Sequence, residues 1–218
     1  MKRSNITGVA AILIWLLPLI YFSKIYAGLP QSVALHFGLD GKPDRFGNKT
    51  EMIWMLLLLS TVSIAVYFLI KYLPKIDPKK TAGYSSEVFK KISFALIIFL
   101  SGIQFFVINS SVTGSFALDK MLLPFMGLFF AYLGNLLHSI KPNYFVGIRT
   151  PWTLEDPDTW RATHQLGGKI WFIGGIVITI TTLFIAAKPG FIIFISCISI
   201  MSLVPVIYSY LYYKKHQK

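Results

Sequence analysis

Six stretches of apolar residues, 6–26, 52–73, 92–112, 121–137, 170–187 and 191–212, each with almost no charge, leave this chain one class of fold. A helix needs roughly 20 apolar residues to cross a hydrocarbon layer of about 30 Å. Inside that layer the backbone must satisfy its own hydrogen bonds, which a helix does. With 55% hydrophobic and 14% charged residues, the 218-residue chain carries more apolar surface than one soluble core can enclose. The expected fold is an all-α integral membrane bundle of six transmembrane helices. Lys2 and Arg3 precede the first stretch as they would in a cleaved leader. That stretch is long enough to span, however, and Ile25 occupies a position where cleavage before residue 28 requires a small side chain, so it reads as a retained helix. The fourth stretch is the shortest, and Pro124 softens its start. Lys188-Pro189-Gly190 separates the last two and predicts a tight turn between antiparallel helices.

The basic residues orient the bundle. If the N-terminus is cytoplasmic, the inner segments hold Lys2, Arg3, Lys75, Lys79, Lys80, Lys90, Lys91, Lys141, Arg149, Arg161, Lys169, Lys214, Lys215 and Lys218. The outer segments then hold only Lys42, Arg45, Lys49, Lys120 and Lys188. That bias predicts both termini inside. Tyr208, Tyr210, Tyr212 and Tyr213, before the last lysines, suit an inner interfacial belt. The net charge of +12 is therefore read as facing anionic lipid headgroups, with no direct nucleic-acid partner. The single cysteine, Cys197, lies within the last apolar stretch, which excludes an intrachain disulfide or a cysteine metal site.

Two loops are long enough to carry function. In the outer one, 28–50, Val33, Leu35 and Phe37 alternate with Ala34 and His36, and a Gly38–Gly41 turn follows, so a small hairpin cap is expected. His36, Gly41 and Asp44 are its candidate binding residues. His36, Asp40 and Asp44 are chemically able to ligate a divalent metal, but their spacing matches no metal motif. The simpler reading has Asp40 making the turn and Asp44 pairing with Arg45 or capping a local turn. In the cytoplasmic loop, 138–168, Asp156-Pro157 reads as an N-cap and first-turn proline. A short helix over 157–166 would set Trp160 and His164 on one face with Thr163 beside them. Trp152 and Trp160 are placed to lie along the inner leaflet.

The spans hold no charge at mid-depth, which argues against an ion-coupled transporter. Gln104 and Asn135 read as interhelical hydrogen-bond partners. Gly127 with Gly134, and Gly167/Gly168 with Gly174/Gly175, repeat by seven and return to one helix face, a pattern of close helix packing. The densest polar–aromatic set is Arg149, Thr150, Pro151, Trp152, Thr153, Trp160, Thr163 and His164. Arg149 suits a carboxylate or phosphate, and His164 suits proton exchange. No nucleophile motif accompanies them, so no catalytic residue, metal or cofactor is assigned. A purely structural fold-back of this loop is an equal reading.

The run Asn143-Tyr144-Phe145-Val146-Gly147-Ile148-Arg149-Thr150-Pro151-Trp152-Thr153-Leu154, followed by Trp160-Arg161-Ala162-Thr163-His164 and Gly167-Gly168-Lys169, resembles the signature of the SdpI family. Leu29-Pro30 through His36-Phe37, with Gly41, Pro43-Asp44 and Lys49, resembles the DUF1648-type region that often precedes it. The resemblance divides the chain into 1–75, two helices and the outer loop, and 76–218, four helices and the motif loop. It implies a six-helix protein of the bacterial plasma membrane, not an enzyme, that confers immunity to a secreted membrane-active peptide. It also implies signalling, by sequestering a cytoplasmic repressor. The motif residues at 149–153, 160 and 164 carry over without an assigned chemical role. The alternatives are a small transporter or flippase, and an intramembrane enzyme acting on lipid headgroups.

Overall fold

The computed structural model describes residues 3–77, 86–115 and 118–216; Lys2, Lys79, Lys80 and Lys218, used above for orientation, lie outside them. The expected stretches are helices: α1 (Arg3–Ile25), α2 (Lys49–Ile76), α3 (Ser86–Thr113), α4 (Leu123–Leu137), α6 (Pro157–Phe184) and α7 (Ala187–His216). A short helix, α5 (Pro151–Glu155), precedes α6, and strands β1 (Ser32–Phe37) and β2 (Pro43–Asn48) join α1 to α2. The six long helices are apolar enough to cross a membrane, α4 with a π turn (Leu118–Leu122) at its start. Six crossings bring Arg3 and His216 to the same end, which we call the base; the hairpin lies at the other, the cap.

The bundle turns large apolar side chains outward and buries several polar ones among its apolar core. Trp54 is 69% exposed, Leu58 65% and Phe184 82%, whereas Ser60, Ser63, Ser101 and Gln104 are buried. In water that distribution would expose a very large apolar patch; in lipid it is the stable one. Gln104 does bond across helices, accepting at Oε1 from the Ser60 hydroxyl at 2.8 Å; Asn135, expected to do the same, is instead exposed, with no hydrogen-bond partner among the described residues. The Trp15 indole donates to the Ser60 carbonyl at 2.9 Å, which ties α1 to the same level.

α3 packs on α1 and α2, and α6 packs on α4 and α7. The glycine repeat explains the α4–α6 seam. A Cβ on Gly127 would meet the Gly175 carbonyl oxygen at 2.7 Å, and one on Gly168 would meet the Gly134 carbonyl oxygen at 2.9 Å. The two helices touch backbone to backbone, and only glycine permits that. The α1–α3 half meets α4 through the stacked rings of Phe99 and Phe129, 4.1 Å apart, and through an apolar cluster at the base that includes Val88, Ile92, Leu137 and Trp160.

Other sequence expectations change as well. Residues 157–166 are not a separate loop helix but the first turns of a 28-residue α6, because Gly167 and Gly168 are held by packing instead of breaking the helix. Trp160 does not lie on the leaflet: it is buried, and its indole donates to the Ile140 carbonyl at 2.8 Å. The α6–α7 break falls at Ile185 and Ala186, so Lys188-Pro189-Gly190 forms the first turn of α7, where a proline lacks no intrahelical partner. Lys120 closes the end of α6 by donating to the carbonyls of Leu183 at 2.7 Å and Ile185 at 3.3 Å. A cation there meets the orphan carbonyls and the negative end of the helix dipole.

The N-cap of α6 is Asp156, which accepts from the Thr159 amide at 2.8 Å and from the Thr159 hydroxyl. The Thr159 hydroxyl, opposed by slight burial and helped by the backbone amides of Thr159 and Asp158, holds the Asp156 carboxyl below its ordinary 3.8. A carboxylate depressed on folding stabilises above its unfolded value and loses that contribution as pH falls through the folded one. Asp156→Ala is therefore expected to cost about 1 kcal/mol at neutral pH. The deficit should shrink as pH falls below the ordinary carboxylate value, where the unfolded chain takes up its proton first, and vanish once the native Asp156 is protonated as well. Denaturation of wild type and variant at pH 7 and pH 3 tests both; a deficit equal at the two values would contradict the capping role.

Candidate functional site

The motif of the second loop builds a knot at the base, between the ends of α4, α6 and α7. Asn143, fully buried, fastens its first turn. The Asn143 side-chain amide donates to the carbonyls of Lys141 at 2.9 Å and Val146 at 2.8 Å. Its oxygen accepts from the amides of Phe145 at 2.8 Å and Val146 at 2.7 Å. All four hydrogen-bonding positions of this amide are used, as burial requires. Asp77, buried at the end of α2, accepts from the Tyr144 amide at 3.2 Å and binds the knot to the first half of the bundle.

Gly147 has φ +116°, a conformation that favours glycine, and a side chain there would strike the His164 imidazole and the Trp160 ring. The glycine lets the next amide, Ile148 N–H, donate to His164 Nε2 at 3.0 Å. His164 Nδ1–H donates to the Trp160 carbonyl at 2.8 Å, and the two rings stack with centroids 4.0 Å apart. Both imidazole nitrogens are thus engaged with backbone, and Nε2 must be the unprotonated one to accept an N–H. His164 is 1% exposed. Its geometry suits a pin that holds the chain at Gly147-Ile148 rather than a proton donor to a ligand.

Thr150 and Thr153 form the capping box of α5. The Thr150 amide donates to Thr153 Oγ1 at 2.8 Å, the Thr153 amide donates back to Thr150 Oγ1 at 3.3 Å, and the Thr153 hydroxyl donates to the Ile148 carbonyl at 3.0 Å. Pro151 takes the first helical position, where its missing N–H costs nothing. The Trp152 indole donates to the Ser209 hydroxyl, and its ring meets Tyr210 edge-on at 5.3 Å, so α5 is docked on α7. Thr163 is buried with a hydroxyl that has no partner among the described residues.

Arg149 differs from the rest. Its side chain is exposed, donates to the Tyr144 carbonyl, and has no ion pair among the described residues. Tyr144, 45% exposed, and Phe145, 39% exposed, stand beside it on the surface of the base. The structure thus separates the eight residues read from the motif. Thr150, Pro151, Trp152, Thr153, Trp160 and His164 build the knot, Thr163 is buried beside them, and Arg149 crowns it.

At the cap, β1 and β2 pair antiparallel as expected, with bulges around His36. Gly41 turns the chain with φ +75°, and Asp40 accepts from the Lys42 amide at 3.1 Å, as a turn-making aspartate does. Asp44 does not pair with Arg45. It lies 2.6 Å from His36 Nδ1, while Arg45 reaches Glu51 at 3.4 Å. The Glu51 carboxylate also accepts from the Asn48 amide at 3.2 Å, starting α2 with a capping box. The hairpin is anchored to α3 by the Ser111 hydroxyl, which donates to the Ala34 carbonyl at 2.6 Å. Asp77 and Ser209 escaped sequence reasoning; the only signal was Asp77 preceding Pro78, which marks a helix end but not a tie across the loop.

Residues 139–209 match the model of the SdpI/YfhL protein family, and residues 13–61 match a domain of unknown function, DUF1648. The chain is 24% identical over 215 residues to the Immunity protein SdpI of Bacillus subtilis, covering 99% of this chain and 98% of that one. It is 43% identical over 63 residues to an uncharacterized protein of Archaeoglobus fulgidus, covering 29% of this chain and 30% of that one. No solved structure matches. The first match contains the whole knot from Ile140 to Ser209, and the second contains the hairpin. Six apolar helices and this similarity make the chain a multi-pass protein of the bacterial cell membrane.

Proposed function

We propose that this chain protects its cell from a secreted membrane-active peptide, without catalysis, with its base and both termini in the cytoplasm and its hairpin outside. The observation that carries the reading is the end-to-end similarity to an immunity protein, with matched segments that coincide with the two built features, the hairpin and the knot. The toxin meets the exposed hairpin, where His36, Gly41 and Asp44 are its candidate contacts, or the lipid-facing helices. The cytoplasmic partner, a repressor protein held at the membrane, meets the surface of Arg149, Tyr144 and Phe145. The engagement of both His164 nitrogens and the burial of Trp160 favour this over headgroup chemistry, because neither side chain is free to touch a substrate.

The test uses a sensitive bacterium carrying this chain and a reporter gene controlled by the proposed repressor, challenged with secreted peptides. Arg149→Ala removes an exposed guanidinium at little structural cost. It is expected to leave survival within about twofold of wild type while lowering reporter induction at least about tenfold, the effect of losing one charged anchor at an interface. Asp44→Ala combined with His36→Ala should lower survival instead. Survival unaffected by any hairpin change, with protein present in the membrane, would overturn the hairpin as the toxin contact. Reporter induction unaffected by Arg149→Ala would overturn the repressor surface.

A further inference from the structure

A groove runs along the α4–α6 seam at the base, apart from the knot, with a volume of about 460 Å³. That is within the usual range of small-ligand sites, roughly 300–1,000 Å³. Its floor is glycine: Gly134 and Gly168 bring the helices together so closely that no side chain fills the space above them. Four polar side chains line it, Asn135 and His138 from α4 and Gln165 and Lys169 from α6. All four are exposed, and none has a hydrogen-bond or ion-pair partner among the described residues. Phe172 forms the wall one turn further into the bundle.

The depth of this groove is unusual for so much unpaired polarity. On α6, Phe172 and Ile173 are 46% and 61% exposed, as lipid-facing residues are, and the long apolar run of the helix begins just beyond Lys169. On α4 the groove occupies the last turn before Leu137. The four side chains therefore sit where hydrocarbon gives way to headgroups. A lysine alone at that depth would extend its ammonium to the interface. Two carboxamides and an imidazole converging on the same concavity add fixed hydrogen-bond donors for an acceptor with several oxygens. The lining contains one cation and no carboxylate, which complements a net negative ligand and gives no countercharge to a choline or ethanolamine group.

We infer that this groove seats the phosphate headgroup of an anionic phospholipid from the leaflet at the base. Lys169 supplies the countercharge, Asn135 and Gln165 donate to the phosphate oxygens, and Phe172 lies against the start of an acyl chain. Juxtamembrane lysines contribute to such binding through the surface potential as well, so the proposal is specifically that the groove adds to that diffuse attraction.

The test is native mass spectrometry of the full chain in a non-ionic detergent, titrated separately with dioleoyl phosphatidylglycerol, dioleoyl phosphatidylcholine and glycerol 3-phosphate. Phosphatidylglycerol is expected to stay bound at concentrations where phosphatidylcholine occupancy is at least about tenfold lower. Lys169→Gln and Gln165→Leu should each reduce phosphatidylglycerol occupancy about five- to tenfold; both positions are exposed, so unchanged melting will show that the fold is kept. Lys214→Gln, a charge removed from the last turn of α7 at the same end, should leave occupancy unchanged. Three results would overturn the inference: Lys169→Gln binding like wild type, Lys214→Gln losing as much as Lys169→Gln, or glycerol 3-phosphate displacing the lipid at equal concentration. The last would make this a site for a soluble anion.

Discussion

His164→Ala is expected to lower stability by about 3–5 kcal/mol, seen as a fall in the denaturation midpoint of the purified protein. Two losses combine. The ring is 1% exposed and stacked on Trp160, so its removal leaves a cavity in the base cluster, a change of the kind that costs about 2–5 kcal/mol. It also strands the Ile148 amide, whose partner is His164 Nε2. An orphaned buried donor costs about 1–3 kcal/mol. His164→Phe separates the two, because a phenyl ring keeps the stack but accepts nothing. It should recover roughly half of the loss. If instead His164→Ala is as stable as wild type and abolishes only a biological activity, the imidazole is a functional group and the pin described here is wrong.

Gly175→Ala should damage the fold much more than Gly174→Ala beside it. A Cβ on Gly175 would lie against the Ala131 amide and the Gly127 carbonyl, both backbone atoms of α4 that cannot move without parting the seam. A Cβ on Gly174 would meet the Met201 side chain, 2.6 Å from its sulfur and 2.8 Å from its Cγ, and no backbone of another helix among its nearest neighbours. Overpacking against rigid backbone costs about 1–3 kcal/mol and occasionally more, and here the strain falls on backbone of the facing helix. We expect about 3 kcal/mol for Gly175→Ala and less than about 1 kcal/mol for Gly174→Ala, read by thermal denaturation in detergent. Equal effects would mean that the two helices do not approach at this register.

What sequence reasoning recovers here follows from where the physics is local. Lipid demands long uncharged runs, so all six spans are legible, and the alternation at Val33–Phe37 with a glycine turn is enough to read the hairpin. The glycine repeat declared close packing, though not that α4 and α6 were the pair. The misreadings arose where a local signal was outweighed by a distant contact. Gly167-Gly168-Lys169 looks like a helix boundary until Gly134 is known to lie against Gly168. Trp160 looks interfacial because an indole N–H usually seeks the polar edge of a bilayer; here the Ile140 carbonyl receives it inside the protein. Within the motif, residue types alone did not distinguish the buried His164 from the exposed Arg149. Burial divides them, and burial is a property of three helix ends meeting.

The glycine seam also bears on biogenesis. α4 is the shortest of the six long helices at 15 residues, and the face it needs covered is matched only by α6, whose last residue, Phe184, is synthesised some fifty residues after Leu137. At about 5–20 residues per second, α4 waits roughly 2–10 s in or beside the insertion machinery with its glycine stripe unpartnered. A ribosome slowing over residues 138–157 would lengthen that interval, and codon usage in that segment is therefore expected to affect the yield of inserted protein more than the same change placed after residue 187.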